Sequence, residues 1–104
     1  MKERRSSRRA GVNILLNKFI DGFPHACRAL DLSMGGVLVK RIHEPQAERD
    51  FFPLQLGLPG QDPIWIWSRA VWTQGSCQAL RFVSMDAEDR ARLAVYLGTV
   101  KRAA

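Results

Sequence analysis

Residues 64–83 read IWIWSRAVWTQGSCQALRFV, and the period of their apolar side chains decides the fold. Ile64, Ile66, Ala70 and Trp72 fall on one face and Trp65, Trp67, Arg69 and Val71 on the other. That is the two-residue period of an extended strand, not the 3.6-residue period of a helix. Gln74-Gly75-Ser76 supplies turn residues, and Cys77 to Val83, containing Leu80 and Phe82, forms a second strand. The stretch is a β-hairpin.

The signal recurs toward the N-terminus. Phe52, Leu54, Leu56 and Leu58 alternate with Pro53, Gln55 and Gly57, a strand that Pro53 places near a sheet edge because proline donates nothing to a ladder. The turn Pro59-Gly60-Gln61-Asp62-Pro63 closes it. Val37-Leu38-Val39 is a short apolar strand after Gly35-Gly36, ending at Lys40-Arg41 before a polar connection over 42–50. A further strand, about Pro24 to Leu32, carries Ala26, Arg28 and Leu30 opposite His25, Cys27 and Ala29. Asp21-Gly22 is a hairpin turn that leads back to a first strand with Val12, Ile14 and Leu16 opposite Asn13 and Asn17.

Toward the C-terminus the period changes. Leu93, Tyr96, Leu97 and Val100 recur at helical spacing, with Asp86 as N-cap and Gly98 as terminator. The expected fold class is all-β (mainly β): a six-stranded antiparallel barrel with one C-terminal α-helix. The helix must cover its apolar stripe with an open barrel end or another protein. The chain reads as one domain over 1–104, with an arm at 1–9, a barrel at 10–84 and the helix at 86–99.

Composition fits ordinary globular protein, at 46% hydrophobic and 25% charged residues. The net charge of +6 is concentrated, because residues 1–9 hold Lys2, Arg4, Arg5, Arg8 and Arg9 against Glu3 alone. Such an arm buries nothing, so it is expected to be mobile until an anionic partner orders it. Nucleic acid, phospholipid and a phosphorylated small molecule all satisfy the charge. Cys27 and Cys77 read as free thiols of a reducing compartment. No apolar run reaches signal-peptide or membrane-span length, so a cytoplasmic location is expected.

Two motifs narrow the choice. Arg4-Arg5-Ser6-Ser7-Arg8-Arg9 contains R-x-x-x-R in two registers, and Asp31-Leu32-Ser33-Met34-Gly35-Gly36 contains D-x-S-x-x-G. In that order, ahead of six strands and a helix, they resemble the signature motifs of the PilZ domain family, and the resemblance covers almost the whole chain. Arg9 stands 22 positions before Asp31, the spacing the resemblance implies for the second arginine, so Arg5 and Arg9 are the motif pair and Arg4 is the arginine just before it. The resemblance implies a receptor or adaptor domain for the bacterial messenger cyclic di-GMP, signalling to an effector protein in motility, exopolysaccharide or biofilm control. It also implies that an arginine at position 4 favours an intercalated dimer of the ligand, two molecules per chain. No cofactor is expected beyond that ligand.

The residues suit these roles chemically. A carboxylate such as Asp31 accepts both N1–H and N2–H₂ of a guanine edge in parallel. In an extended strand Ser33 points to the same face and adds a hydroxyl. Gly35 and Gly36 allow positive φ and a close approach of ligand to backbone. Arg4, Arg5, Arg8 and Arg9 fork onto phosphates and stack on purines. Trp72 matches a common tryptophan of the family and is a further candidate contact, whereas Trp65 and Trp67 are candidates for a partner surface. His25, His43, Lys40 and Arg41 read as solvated surface, and Arg28 and Arg81 lie on faces that periodicity leaves open.

No nucleophile with its base, no metal-ligand cluster and no phosphate loop leading into a helix is present. The chain reads as a binding module, not an enzyme. The alternatives are a PilZ-fold interaction module without ligand, against which the intact motifs argue, and a basic barrel for single-stranded nucleic acid; nucleic acid is not the expected partner.

Overall fold

The computed structural model describes residues 10–100. Within them lie β1 (Ala10–Ile20), β2 (Phe23–Leu32), β3 (Gly36–Arg41), β4 (Phe51–Leu56), β5 (Ile64–Gln74), β6 (Cys77–Met85) and α1 (Ala87–Thr99). The strands close into an antiparallel barrel in the order β1-β2-β3-β6-β5-β4. Closure removes the free edges that an open sheet of six strands would expose. The expected barrel and helix are both present.

Local chemistry sets the corners. β1 turns into β2 through Asp21 and Gly22, both at positive φ (52° and 85°), the backbone that a two-residue hairpin matching the strand twist requires. β3 crosses to β4 through residues 42–50, so β3 finds its second neighbour in β6.

Pro53 does not mark an edge. β4 pairs with β5 along its whole length and with β1 through Leu16–Leu56, Asn17–Gln55 and Lys18–Leu54. The proline stands one residue beyond that short ladder, where its missing N–H costs nothing.

Strand parity fills the interior with Leu16, Ile20, Val39, Leu54, Leu56, Ile64, Ile66 and Leu80. One end of this core is covered by α1, whose Leu93 is fully buried. The barrel end thus covers the helix stripe. Arg92 holds the helix down by donating to Gln61 Oε1 (3.2 Å) and to the Asp62 carbonyl, and pairs within the helix with Asp89 Oδ1 (3.1 Å). Asp86 is the N-cap by backbone, its carbonyl accepting from Arg90 N (2.9 Å), but its carboxylate makes no capping bond. Gly98 does not terminate α1: the helix runs to Thr99, whose hydroxyl donates to the Tyr96 carbonyl at 2.7 Å. That bond answers one of the last carbonyls, and the C-cap Val100 is extended, so the helix ends without a left-handed glycine.

The other end has a polar plug. Lys18 is inside the barrel at 1% exposure, donating to Glu44 Oε2 and Gln78 Oε1, both at 2.6 Å, with its ammonium 4.5 Å from the Phe52 ring centroid. Glu44 comes from the 42–50 connection and so fastens that segment over the mouth. The Cys27 thiol lies 3.7 Å from Glu44 Oε1. Burial first, and the Glu44 charge second, push its pKa up to about 11. Both cysteines are free thiols. Among the described residues no helix is long and apolar enough to cross a membrane.

Removing one partner of a buried ion pair strands the other charge, at a cost of about 3–5 kcal/mol, whereas replacing both with apolar groups is often neutral. Glu44→Ala is therefore expected to lower unfolding stability in urea by about 3 kcal/mol, and Lys18→Met with Glu44→Leu to restore most of it. Additive losses in the double variant would show that the pair does not act as a unit.

Candidate ligand-binding site

Parity alone would bury the wrong side chains. Cys27 and Ala29 point inward on β2, so an unbroken strand would send Asp31 into the core as well. The β2–β3 register passes from Ala29–Val39 to Asp31–Leu38, which leaves Leu30 as an extra residue. This bulge turns Asp31 outward and returns Leu32, fully buried, to the core.

β5 repeats the device. Ile64, Ile66 and Ser68 point inward, and the β5–β6 register passes from Ala70–Leu80 to Trp72–Ala79, leaving Val71 unpaired. Trp72 therefore does not share the inner face of Ile64 and Ile66, as simple alternation predicts. It stands outside, 47% exposed.

The two bulges place Asp31 and Trp72 on one row. Across the strands, Gly11 pairs with Asp31, Asp31 with Leu38, Leu38 with Ala79, and Ala79 with Trp72. Val37, Val39 and Leu80 are buried, so the alternate positions Leu38 and Ala79 face outward with them. Asp31 and Trp72 are three strand spacings apart, roughly 14 Å, over a floor of two short apolar side chains. Cations flank this row: Arg28 and Lys40 pair with each other on one side, and Arg81 pairs with Gly36 on the other. Arg28 donates to Asn13 Oδ1 at 2.7 Å.

Residues 33–36 close the row at the end of β2. Ser33 is not part of the strand, so strand alternation does not set its direction; it sits in the turn, 7% exposed. Its Oγ accepts from Gly35 N (3.2 Å) and approaches the Gly36 carbonyl at 3.4 Å, which also accepts from Ser33 N (2.9 Å). The Gly35 carbonyl accepts from Phe82 N at 2.8 Å. Ser33 thus takes part in the hydrogen bonding of the turn.

Positive φ is not what the glycines provide, for among the described residues that region holds Asp21, Gly22, Gly60 and Gly75. Gly36 is needed for a close approach to β6, since a Cβ there would lie 2.5 Å from the Leu80 carbonyl oxygen.

Arg4, Arg5, Arg8 and Arg9 lie outside the described residues. Their point of attachment does not: the backbone of Ala10 pairs with Leu32, beside Asp31 and the turn. Periodicity could not find Leu38, Ala79, Arg28, Lys40 and Arg81 as neighbours of Asp31, because the row depends on β3 lying beside β6. Parity from Val37, Val39 and Leu80 would have shown which of them face outward.

The PilZ domain family profile matches residues 3–98. Among solved structures, the Bacillus subtilis inhibitor of motility (MotI/DgrA) superposes with a TM-score of 0.69 at 14% identity, over 91% of this chain and 49% of that one. The PilZ domain of CeSA from a cellulose-synthesizing bacterium superposes with a TM-score of 0.68 at 18% identity, over 88% of this chain and 97% of that one. The chain thus spans about half the length of the first and nearly all of the second. At these identities the likeness is one of fold. No curated protein matches the chain.

The packing of the turn is open to a direct test. Gly36→Ala forces a methyl group against a backbone carbonyl that cannot swing aside, an overpacking expected to cost about 1–3 kcal/mol. Gly57→Ala, with open space at its Cβ, should leave the urea midpoint nearly unchanged. Equal midpoints for both variants would contradict the close approach.

Proposed function

The chain belongs to the PilZ domain family, whose members serve as cyclic di-GMP receptor and adaptor domains, and on that premise we propose that it binds cyclic di-GMP across the Asp31–Trp72 row and passes the signal to an effector protein. The observation that carries this reading is the pair of bulges, each reversing strand parity to bring one candidate contact out onto the same row. The first reversal also returns Leu32 to the core, and the second leaves Trp72 47% exposed.

The parts have complementary tasks. Asp31 accepts the paired donors of a guanine edge, which adenine does not offer. Leu38 and Ala79 are short enough to let a purine lie flat, and Trp72 offers a ring at the far end for stacking. Ser33, Gly35 and Gly36 hold the turn against which the ligand seats. The arm is joined at Ala10, so Arg5 and Arg9 can fold over the row and fork onto the phosphates while Arg8 adds a further cation. Binding then lays an arginine-rich segment over the barrel wall, and that new surface is what the effector reads. The protein acts as a binding module in the cytoplasm and is not itself a catalyst.

Arg4 sets the stoichiometry. Two intercalated ligands carry four phosphate charges and expose more purine surface than Arg5 and Arg9 can cover. A third guanidinium reaches the second molecule and stacks on its base.

Calorimetric titration with cyclic di-GMP tests the reading, with GTP, cyclic GMP and a single-stranded oligonucleotide as controls. The wild type is expected to bind two cyclic di-GMP per chain and none of the controls comparably. Asp31→Ala loses a charge-assisted contact of about 1.5–3 kcal/mol and so at least roughly tenfold in affinity. Arg4→Leu shifts the ratio toward one. Unchanged affinity in Asp31→Ala moves the site elsewhere, and oligonucleotide binding that collapses with salt in place of cyclic di-GMP binding favours a nucleic-acid module.

A further inference from the structure

The barrel carries most of its large aromatic residues on the outside. Of the phenylalanines and tryptophans only Phe52 is buried, while Trp65 and Trp67 are 49% and 46% exposed. They cluster on the wall formed by β1, β4 and β5. The rings of Phe19 and Trp65 are 5.4 Å apart, and those of Phe51 and Trp67 stack at 5.1 Å. An outward strand position is satisfied by threonine, lysine or glutamine, so two aromatic pairs here exceed what folding needs.

The wall opens into a groove of about 770 Å³ lined by Pro53, Trp65, Trp67, Met85, Asp86 and Asp89. It lies roughly 16 Å along β5 from Trp72, counting five residues at strand rise, and is separate from the Asp31 row. Its charge is opposite to that of the chain. On a protein of net charge +6, the charged residues lining the groove among the described residues are the two carboxylates Asp86 and Asp89, and Glu88 lies in the same first turn of α1. Asp89 is fixed there, accepting from Trp65 N (3.3 Å) and Arg92 (3.1 Å). Asp86 leaves the helix N-terminus uncapped by its side chain.

The same wall already holds one guanidinium. Arg69 lies 5.2 Å over the Phe51 ring and pairs with Asp50 at 3.2 Å. An aromatic face with a carboxylate beside it is the combination that Trp65, Trp67 and Asp86 offer, with no arginine among the described residues stacked on either ring.

We propose that the β1–β4–β5 wall is a protein-docking surface and that its occupant is an arginine-bearing apolar segment of a partner protein. The guanidinium stacks on Trp65 or Trp67 and pairs with Asp86, and the neighbouring apolar side chains cover the remaining rings. Calling that partner the effector rests on the receptor reading above; the surface itself does not.

The probe is an acetylated peptide of sequence LRLLRL, with LELLEL as control, titrated into the full chain and followed by the indole N–H signals of the three tryptophans. LRLLRL is expected to shift Trp65 and Trp67 and to leave Trp72 in place. Trp67→Ala and Asp86→Lys should each weaken it about tenfold, while both variants keep wild-type circular dichroism and cyclic di-GMP affinity. Equal binding of LELLEL, shifts confined to other surfaces, or undiminished binding in both variants overturns the proposal. So does a dimer in sedimentation that Trp67→Ala converts to monomer, because the wall would then be covered by a second copy. If LRLLRL binds the wall but cyclic di-GMP does not bind the chain, the receptor reading falls and the docking surface stands. The reverse result removes the docking surface alone.

Discussion

In a closed barrel every side chain is assigned to the core or to the outer wall by the parity of its strand position, and only an inserted residue reverses the assignment. That constraint governs this molecule. Leu30 and Val71 are the inserted residues that bring Asp31 and Trp72 outward. The first insertion also keeps Leu32 in the core, so the bulge does not sacrifice burial for display. The row over Leu38 and Ala79 exists because both reversals occur at matching heights on strands with two others between them.

The barrel ends are sealed by different chemistry. Leu93 covers one with apolar surface, and the Lys18–Glu44 pair covers the other with charge. Both seals use segments outside the sheet, α1 at one end and at the other the 42–50 connection, whose Glu44 meets Lys18 of β1. The outer wall is thereby free to carry the Asp31 row on β2, β3, β6 and β5, the aromatic pairs on β1, β4 and β5, and the groove that β4, β5, β6 and the start of α1 line. β5 serves both, with Trp65 and Trp67 before its bulge and Trp72 after it.

Much of the fold was legible from alternation, because a residue such as Leu54 or Ile66 is apolar for the same reason that it is buried. The helix was legible from the spacing of Leu93, Tyr96 and Leu97. What periodicity missed has identifiable causes. Pro53 signalled an edge, but it stands just past a three-pair ladder that sequence does not reveal. Gly98 looked like a stop, but Thr99 answers the Tyr96 carbonyl. Gly36 looked like a positive-φ position, but its reason is the Leu80 carbonyl brought near by non-local pairing. Asp31 stood out by its motif, yet its neighbours Ala79 and Trp72 are 48 and 41 positions away in sequence and meet it only through register.

The central claim is that the two bulges build one ligand row, and the indole signal of Trp72 reports on it most directly. On addition of cyclic di-GMP to labelled protein, the Trp72 indole N–H and the Asp31 amide are expected to shift along the same saturation curve, with Trp65 and Trp67 unmoved by direct contact. A ligand that binds while Trp72 and Asp31 both stay in place, or that moves Trp65 and Trp67 instead, would contradict the account.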